Sequence, residues 1–294
     1  MRRIKRVAVI GVGLIGGSFA MALRRAGGVT SIVGVDRDAQ ALERAAALGV
    51  IDTAAGSVSE ATKGADLVMV AVPVRAIGPV LHDVGRALDP GATVTDAGST
   101  KGDVAGIARE ELRTLFPRFV PGHPIAGRES SGVDSATADL FKGARVVLTP
   151  EEETAPDALD IVRSCWEAAG GRVALLSAGD HDRIFAAVSH LPHLLSFALV
   201  SEFTSRANAA ELFGFAAGGF RDFTRIAASS PEMWRDIALQ NRAALLDELD
   251  RYGTRLAVFR ELIDKGDGPG LQRLMAEARA SRQALGARRS PSNE

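Results

Sequence analysis

The sequence predicts an α/β N-terminal domain built on a parallel sheet, followed by an all-α C-terminal domain. Short β-branched runs alternate with Ala/Leu-rich helical patterns over residues 1–178, and strand patterns stop after Ser177. A glycine-rich turn also joins the first strand to the first helix. Alternating helices and nearly continuous apolar strands are typical of a parallel sheet covered on both faces. We therefore expect domains at residues 1–178 and 179–294.

Six strands are expected in the N-terminal half, each an apolar run bounded by turn residues. They are Arg6–Ile10, Ser31–Val35, Leu67–Val72, Ala92–Thr95, Arg145–Leu148 and Arg172–Leu176. Helical patterns lie between most of them, for example Leu14–Arg25, Gln40–Leu48 and Ala155–Ala169. The single cysteine, Cys165, falls in the last of these helices. One cysteine can form neither an intramolecular disulfide nor a thiolate metal site, so we interpret it as a core residue.

The C-terminal half is expected to contain one last long helix that begins at Ser230–Pro231. Ser229 or Ser230 can cap it, and Pro231 suits a first turn. Its apolar residues recur at steps of four and three: Leu245, Leu249, Tyr252, Leu256, Phe259 and Ile263. Such a seam suits packing against another long helix, within the domain or across a subunit interface. The tail from Gly286 has the composition of a disordered terminus.

The bulk composition is that of a soluble globular protein, with 46% apolar and 24% charged residues among 294. A formal net charge of −1 gives no electrostatic reason to expect binding to nucleic acid or an acidic membrane. The N-terminus has the basic start and apolar stretch of a signal peptide, but its glycines follow a cofactor pattern. No uninterrupted apolar span of about 20 residues occurs. We therefore expect a cytoplasmic protein without a nucleic-acid or membrane partner.

The segment VAVIGVGLIGG places Gly11, Gly13 and Gly16 in the spacing G-x-G-x-x-G, directly after a strand and at the start of a helix. In a Rossmann-type dinucleotide site, these glycines allow a tight turn, close approach of the pyrophosphate and close helix–strand packing. The helix N-terminus, with Leu14 and Ile15, offers unpaired N–H groups to the phosphates. The segment therefore predicts a dinucleotide cofactor.

The identity of that cofactor is indicated by Asp36, which ends the second strand 20 residues after Gly16. An acidic side chain there binds the ribose hydroxyls and repels a 2′-phosphate, which favours NAD over NADP. Arg37 could hold the extra phosphate and keeps NADP open. The third strand leads into Val72 and Pro73, and its carboxyl end should lie at the ligand crevice.

Polar residues gather at further strand ends. The stretch TDAGSTKGD follows the fourth strand and contains Asp96, Ser99, Thr100 and Lys101. The stretch VPGHPIAGRESSG holds a histidine between glycine and proline and then a charged segment: His123, Arg128 and Glu129. A histidine fixed in this way is unusual for a surface loop and suits proton transfer near neutral pH. Together these stretches predict an active site over the carboxyl edge of the sheet.

Two further constellations lie in the helical half. His190 and His193 are three residues apart and could be metal ligands, a structural pair, or a source of one histidine at the cofactor crevice. We favour the last, because no further ligands stand at metal spacing, and we expect no metal. Arg221 and Arg225 are four residues apart, and Asp222 could pair with one of them. A guanidinium is a natural clamp for a carboxylate, with a solvated basic face as the alternative.

These residues resemble the prephenate/arogenate dehydrogenase family of tyrosine biosynthesis over essentially the whole chain. The matching stretches are GVGLIGGS, DAGSTKG, GHPIAG, HDRIFAAVSHLPH and GGFRDFTRIA followed by SPEMWRDI. The resemblance implies a Rossmann-type domain, a helical domain through which two subunits form a homodimer, and an active site between the domains. It also implies the oxidative decarboxylation of prephenate with NAD⁺.

The resemblance also implies roles for individual residues. His123 accepts a hydrogen bond from the hydroxyl on the substrate ring, Ser99 supports that contact, and Arg225 binds a substrate carboxylate. His193 lines the site near nicotinamide and substrate. Arg128 stands where the family varies, so the choice between prephenate and arogenate stays open, as does a role for Glu129 in protonation or gating.

Two rival functions fit a Rossmann domain joined to helices. One is a 3-hydroxyacid or 6-phosphogluconate-type dehydrogenase, whose chemistry resembles one that uses a lysine in the helical half. The only lysine beyond residue 142 is Lys265, which lies late in the last helix and is poorly placed for that role. A non-catalytic NAD-binding sensor is opposed by the joint presence of Ser99, His123, His193 and Arg225. The prediction is therefore prephenate dehydrogenase, with arogenate dehydrogenase or a dual-specificity cyclohexadienyl dehydrogenase as the alternative.

Overall fold

Six parallel strands form the main sheet in the computed structural model of the protein, which describes residues 4–127 and 130–287. They are β1 (Ile4–Ile10), β2 (Val29–Val35), β3 (Thr53–Ala54), β4 (Leu67–Val70), β5 (Thr93–Asp96) and β6 (Phe119–Val120). Their spatial order is β3-β2-β1-β4-β5-β6. The order reverses between β1 and β4, the switch point at which doubly wound sheets bind ligands. The predicted Rossmann-type fold is confirmed.

Helices cover both faces of this sheet. They are α1 (Leu14–Arg25), α2 (Ala39–Ala47), α3 (Val58–Thr62), α4 (Ile77–Gly85), α5 (Gly102–Leu112) and α6 (Pro156–Ala168). Val9 of β1 is buried in one core with Cys165 and Trp166 of α6, whereas Ile10 is buried in another with Leu81 of α4. Successive residues of one strand enter separate cores because side chains alternate across a sheet. The prediction that Cys165 is a core residue is confirmed.

The last two predicted strands belong to a second, smaller sheet. It consists of β7 (Gly122–Pro124), β8 (Arg145–Leu148) and β9 (Arg172–Leu175), with β7 antiparallel to β8 and β8 parallel to β9. The main sheet ends at β6, where Pro121 has no N–H group to continue the ladder. Its carbonyl oxygen instead accepts a hydrogen bond from Thr149 N at 3.0 Å, at the end of β8. This arrangement places His123 on a strand.

The remainder is helical, and no strand follows β9 among the described residues. The helices are α7 (Ala178–Phe185), α8 (Leu191–Thr204), α9 (Ala209–Gly214), α10 (Gly218–Thr224), α11 (Pro231–Gln240), α12 (Arg242–Asp264) and α13 (Gly268–Ala287). Short 3₁₀ segments connect some elements, and a π turn at Ala186–His190 joins α7 to α8. In this turn Leu191 N donates to Ala186 O, and Pro192, which cannot donate, follows.

The run from α7 through α8 is long and apolar enough to cross a bilayer by length and composition alone. Over Ala178–Thr204 its most apolar window has a mean hydropathy of 1.6. However, Asp180, Asp182 and Arg183 lie in its first turns, and the run contacts α5 and α11. Only 28% of that window is buried, and a single run of this kind is weak evidence for a membrane span.

The prediction of one long helix from Pro231 is half correct. Ser230 caps α11, because its hydroxyl accepts a hydrogen bond from Met233 N at 3.3 Å, and Pro231 lies in the first turn. The helix nevertheless stops at Gln240, since Asn241 leaves helical geometry at φ −98° and ψ 34°. The Asn241 side chain donates to Asp182 O at 2.8 Å and lies 3.1 Å from His190 Nδ1. These contacts break the predicted single helix into α11 and α12.

The chain divides into two compact units, Met1–Ala244 and Leu245–Glu294. The second unit contains most of α12 and all of α13, and its apolar side chains include exposed ones: Leu246, Leu256, Ile263 and Met275. Gly286 and Ala287 of the tail still belong to α13, while the rest of the predicted disordered tail lies outside the described residues. The expected domain boundary after residue 178 remains a prediction.

Candidate active site

The glycine-rich turn between β1 and α1 has the tight geometry that its spacing predicts. Gly11 has φ +91°, and a Cβ there would lie 2.4 Å from Ala71 O. A Cβ on Gly16 would lie 2.0 Å from Gly11 O. A Cβ on Gly13, in contrast, would meet no described atom within 4 Å. Gly11 and Gly16 are therefore required by the protein's own packing, and Gly13 faces open space.

The start of α1 can hold an anion. Among the described residues no side chain caps it, and its first turn, including Leu14 and Ile15, contains no acidic residue. The N–H groups at an uncapped helix start carry partial positive charge and point outward. Asp36 lies beside this turn, where its Oδ2 accepts a hydrogen bond from Val12 N at 2.9 Å.

The other predicted cofactor residues border the same turn. Val72 is half-buried, with Cγ1 lying 3.1 Å from the position of a Gly11 Cβ, and Pro73 is exposed at the start of a 3₁₀ turn. Arg37 is exposed beside Asp36. The structure thus brings the predicted cofactor residues together at the switch point of the sheet.

A buried ion pair lies at the carboxyl end of β5. Lys101 Nζ donates to Asp96 Oδ2 at 2.5 Å and to Gly122 O at 2.7 Å, and both charged side chains are fully buried. Asp96 Oδ1 accepts a hydrogen bond from Gly122 N at 3.0 Å. Lys101 and Asp96 together therefore fix both polar groups of the Gly122 backbone, next to His123. Ser99 is half-buried in the intervening loop and makes no hydrogen bond among the described residues.

His123 is held by a second histidine. Its Nδ1 lies 2.8 Å from Nε2 of His181, whose Nδ1 lies 2.8 Å from Oδ1 of Asp182. Phe185 packs near both imidazoles, with ring centroids 5.0 Å from His123 and 4.5 Å from His181. Lys101 N donates to the same Asp182 oxygen at 2.9 Å. The site histidine is thus linked to the start of α5 through α7.

The surroundings keep His123 neutral. Burial lowers its pKa well below the ordinary 6.5, and His181, Lys101 and His190 lower it further by charge repulsion. Burial also lowers the pKa of His181, although its hydrogen bond with Asp182 opposes that shift. An uncharged imidazole at neutral pH can accept a proton.

The two histidines of the SHLPH stretch occupy different environments. His190 is buried against Asn241, and burial lowers its pKa from 6.5 to about 4. His193 stacks on Trp234 with ring centroids 3.7 Å apart, and its Nδ1 lies 2.9 Å from Ser189 O. No group of three potential metal ligands occurs among the described residues. Of the two, His190 is buried and His193 is the more accessible.

Of the two predicted clamp arginines, Arg225 lies close enough to His193 for its charge to act on that ring. Burial lowers the pKa of His193, its hydrogen bond with Ser189 opposes this, and the charge of Arg225 lowers it further. Arg221 and Asp222 are exposed on α10, and within the described part of the chain they form no ion pair with each other. The predicted substrate residues Arg128 and Glu129 lie outside the described residues.

Four residues that contact the site histidines or hold them in place were not predicted from the sequence: His181, Asp182, Trp234 and Asn241. His181 and Asp182 lie near the start of α7. Ser177 caps this helix, because its hydroxyl accepts a hydrogen bond from Asp180 N. A histidine followed by an acidic residue near a capped helix start was the available signal. Nothing in sequence spacing indicated that this turn would meet β7 and α5.

Two regions of the chain match protein families. Residues 19–175 match "Prephenate dehydrogenase, nucleotide-binding domain", and residues 177–277 match "Prephenate dehydrogenase, dimerization domain". The chain is also 36% identical to a cyclohexadienyl dehydrogenase of Zymomonas mobilis over 287 residues, which is 97% of each protein.

Solved structures agree with these matches. A prephenate dehydrogenase from A. aeolicus, crystallised with hydroxyphenyl propionate and NAD⁺, superimposes with a TM-score of 0.90 at 38% identity and covers 96% of this chain and 98% of its own. A Synechocystis arogenate dehydrogenase superimposes with a TM-score of 0.81 at 34% identity, and the match covers 95% of this chain and 99% of the Synechocystis chain.

Proposed function

Because the chain belongs to the prephenate dehydrogenase family, we propose that it catalyses the NAD-dependent oxidative decarboxylation of prephenate to 4-hydroxyphenylpyruvate in tyrosine biosynthesis. The observation that carries the proposal is His123, a neutral histidine held at Nδ1 by His181. It lies in the same compact unit as the glycine-rich turn. Such a histidine can accept the proton that an alcohol loses on oxidation.

The residues of the glycine-rich turn suit NAD. The uncapped start of α1 and the open space at Gly13 match a pyrophosphate. Asp36 accepts one hydrogen bond at Oδ2 and one at Oδ1, which leaves acceptor capacity for ribose hydroxyls, since a carboxylate has about four acceptor positions. When bound, NAD⁺ supplies the hydride acceptor. We assign it to Gly11, Gly13, Leu14, Ile15, Gly16, Asp36, Arg37, Val72 and Pro73.

The chemistry demands little covalent work from the protein. As hydride leaves C4 of the substrate ring, the C4 hydroxyl loses its proton, and His123 accepts it. The ring carboxylate leaves as CO₂, and formation of the aromatic ring makes the reaction effectively irreversible. Ser99 steadies the hydroxyl, Arg225 binds a carboxylate by a charge-assisted contact, and His193 on Trp234 borders the ring. Arg128, Glu129 and Asp222 remain substrate-binding candidates.

Arogenate is a second candidate substrate. It carries an ammonium where prephenate carries a keto group, and its oxidation would use the same residues. The similarity to an arogenate dehydrogenase and to a cyclohexadienyl dehydrogenase favours it. We also infer a homodimer, because the second half matches a dimerization domain and α12 and α13 carry exposed apolar residues. A cytoplasmic location remains our expectation from the sequence.

The proposal is tested by product balance. We expect the protein, mixed with NAD⁺ and prephenate, to form equal amounts of NADH, CO₂ and 4-hydroxyphenylpyruvate. The same assay with arogenate gives tyrosine instead, and the two kcat/KM values rank the substrates. NADH formed without an aromatic product would contradict the proposal and favour the 3-hydroxyacid type of dehydrogenase.

A further inference from the structure

The environment of Asp182 determines its protonation. Its Oδ1 accepts hydrogen bonds from Lys101 N at 2.9 Å and from His181, and its Oδ2 accepts one from Gly102 N at 2.8 Å. Burial acts to raise the pKa of Asp182, but the hydrogen bonds from His181, Gly102 and Lys101 outweigh it, and the pKa lies below its ordinary value. Asp182 is therefore an ionised carboxylate near neutral pH, and it can only accept hydrogen bonds.

An ionised Asp182 dictates the tautomer of His181. The ring nitrogen that faces the carboxylate, Nδ1, must carry a proton, because a contact of 2.8 Å between two acceptors would be repulsive. A neutral imidazole carries only one N–H proton. The Nε2 atom of His181 is therefore unprotonated and acts as an acceptor.

The tautomer of His181 in turn determines that of His123. Its Nδ1 lies 2.8 Å from the unprotonated Nε2 of His181, so His123 Nδ1 must be the protonated nitrogen. The Nε2 atom of His123 is then left with a free lone pair. A histidine with the opposite tautomer would present an N–H at Nε2 and could not accept a proton there.

Charged and titratable groups from several elements act on the hydrogen-bonded series of Asp182, His181 and His123. Lys101 and His190 repel a proton on His123, and Asp96 and Asp182 favour one on His181. The charge of Lys101 is paired with Asp96 and does not contact either ring. Asp182 is the one carboxylate among the described residues that hydrogen bonds to the histidine pair.

We propose that Asp182, acting through His181, is a positioning residue that fixes His123 in the tautomer whose Nε2 accepts the substrate's hydroxyl proton. This inference rests on the proposed function, because it assumes that His123 receives that proton. The arrangement also stabilises the product of the transfer, since a protonated His123 remains hydrogen-bonded to a ring that faces a negative charge. Nothing in the pair needs to leave its position during the reaction.

Asp182→Asn removes the charge and keeps the shape. The NH₂ group of the new amide must face either Gly102 N–H or the position shared by Lys101 N–H and the His181 ring. In both orientations a donor faces a donor, so one hydrogen bond is lost. It therefore specifies the His181 tautomer poorly. We expect kcat to fall roughly 10- to 100-fold, as for the loss of a group that orients a functional histidine, with the affinity for NAD⁺ unchanged. Asp103→Asn is the matched control, because it removes an exposed carboxylate from the same end of α5 and should keep wild-type kcat.

Nitrogen NMR of ¹⁵N-histidine-labelled enzyme reads the tautomer without any need for turnover. The His123→Asn variant identifies the His123 signals among the five histidines. We expect His123 to be protonated at Nδ1 in the wild type and in Asp103→Asn, and to show a mixture of the Nδ1- and Nε2-protonated forms in Asp182→Asn. A wild-type His123 protonated at Nε2 would overturn the inference even if Asp182→Asn does not fold.

The kinetic outcomes separate the inference from the function on which it rests. If the wild type turns over prephenate or arogenate and Asp182→Asn keeps its kcat, the positioning role is wrong and the proposed function stands. If the wild type oxidises neither substrate, the proposed function itself is wrong.

Discussion

The buried pair of Lys101 and Asp96 organises the site at the scale of single residues. Taking two charges out of water costs several kcal/mol per ion, and the cost is recovered only when further hydrogen bonds satisfy both groups. Here Asp96 also accepts hydrogen bonds from Gly98 N at 2.7 Å and Gly122 N at 3.0 Å, and Lys101 also donates to Gly122 O. The pair therefore locks the strand residue that precedes His123, and its value lies in that geometry.

Arg225 is predicted to bind substrate and not to take part in the transfer of the proton. Arg225→Ala should raise the KM for prephenate roughly 10- to 100-fold, the usual value of a hydrogen bond to a charged group, with a smaller effect on kcat. Steady-state kinetics measures both quantities. Arg221→Ala, one helical turn away, is the comparison and should change KM little. The reverse result would move the carboxylate clamp to Arg221.

Histidine burial predicts an acid-sensitive fold. The pKa of His190 is lowered from 6.5 to about 4, so between these values the unfolded chain binds a proton that the folded chain does not. The stability contributed by neutral His190 is complete above 6.5 and is lost as the pH falls toward 4, by about 3 kcal/mol in total.

Urea unfolding at about pH 7 and about pH 4.5 measures this loss. His190→Gln, which cannot titrate, should lose less stability between the two conditions than the wild type does. His82→Gln changes an exposed histidine and should keep the wild-type loss. Equal losses in all three proteins would show that His190 does not carry the effect.

Site residues with a local sequence signal could be predicted, whereas residues whose role depends on packing could not. His123 stands out because glycine and proline bracket it, and Asp36 because of its distance from Gly16. His181 and Asp182 have no such bracket, since their role arises only when α7 meets β7 and the start of α5. Trp234 and Asn241 act in the same way, through contacts made by distant parts of the chain.

At the scale of elements, the glycines of the turn from β1 into α1 have two different roles: Gly16 is needed for packing within the protein, and Gly13 leaves space for the cofactor. A Cβ on Gly16 would overlap Gly11 O, whereas a Cβ on Gly13 would meet no protein atom and would extend into the space assigned to the pyrophosphate. Gly16→Ala should therefore destabilise the fold by about 1–3 kcal/mol or more, which is the usual cost of overpacking.

Gly13→Ala should behave differently. We expect its free energy of unfolding to stay within about 0.5 kcal/mol of the wild type. The Kd for NAD⁺ should rise at least about tenfold, or 1.4 kcal/mol. Denaturant unfolding and calorimetric titration measure the two quantities. Gly106→Ala in α5, also with open space at its Cβ, should leave the Kd for NAD⁺ unchanged and raise the free energy of unfolding by about 0.5–1 kcal/mol, because alanine is the better helix former. A Gly13→Ala protein that binds NAD⁺ normally would remove the pyrophosphate from this position.

Element type was easier to predict than element partner. The apolar runs that became β8 and β9 were correctly identified as strands, but nothing in them indicates whether they join the main sheet or pair with β7. The helix break at Asn241 was invisible for a similar reason. Asparagine is a moderate helix breaker, and here the decisive contacts come from Asp182 and His190.

At the scale of the whole molecule, the seam on α12 predicts association of two chains. Leu256 and Ile263 are 51% and 65% exposed, and contiguous exposed apolar residues mark interaction surfaces. Leu256→Asp should convert the proposed dimer to a monomer, because it would bury an unpaired charge in the interface. Light scattering coupled to size-exclusion chromatography measures the mass.

A control variant shows whether adding a charge elsewhere on the surface also disrupts the dimer. Leu48→Asp introduces the same charge at an apolar residue that is 44% exposed next to α2, and it should remain dimeric. A monomeric wild type, or a dimeric Leu256→Asp, would contradict the assignment of this seam to the subunit interface.

The central claim is that this molecule oxidises prephenate with His123 as the proton acceptor. The most direct test is the initial rate of NADH formation from NAD⁺ and prephenate by the wild type and by His123→Asn. We predict steady turnover by the wild type and a kcat lower by roughly 10²–10⁴-fold in the variant, with unchanged NAD⁺ binding. No NADH from the wild type, or an undiminished rate in His123→Asn, would contradict the account.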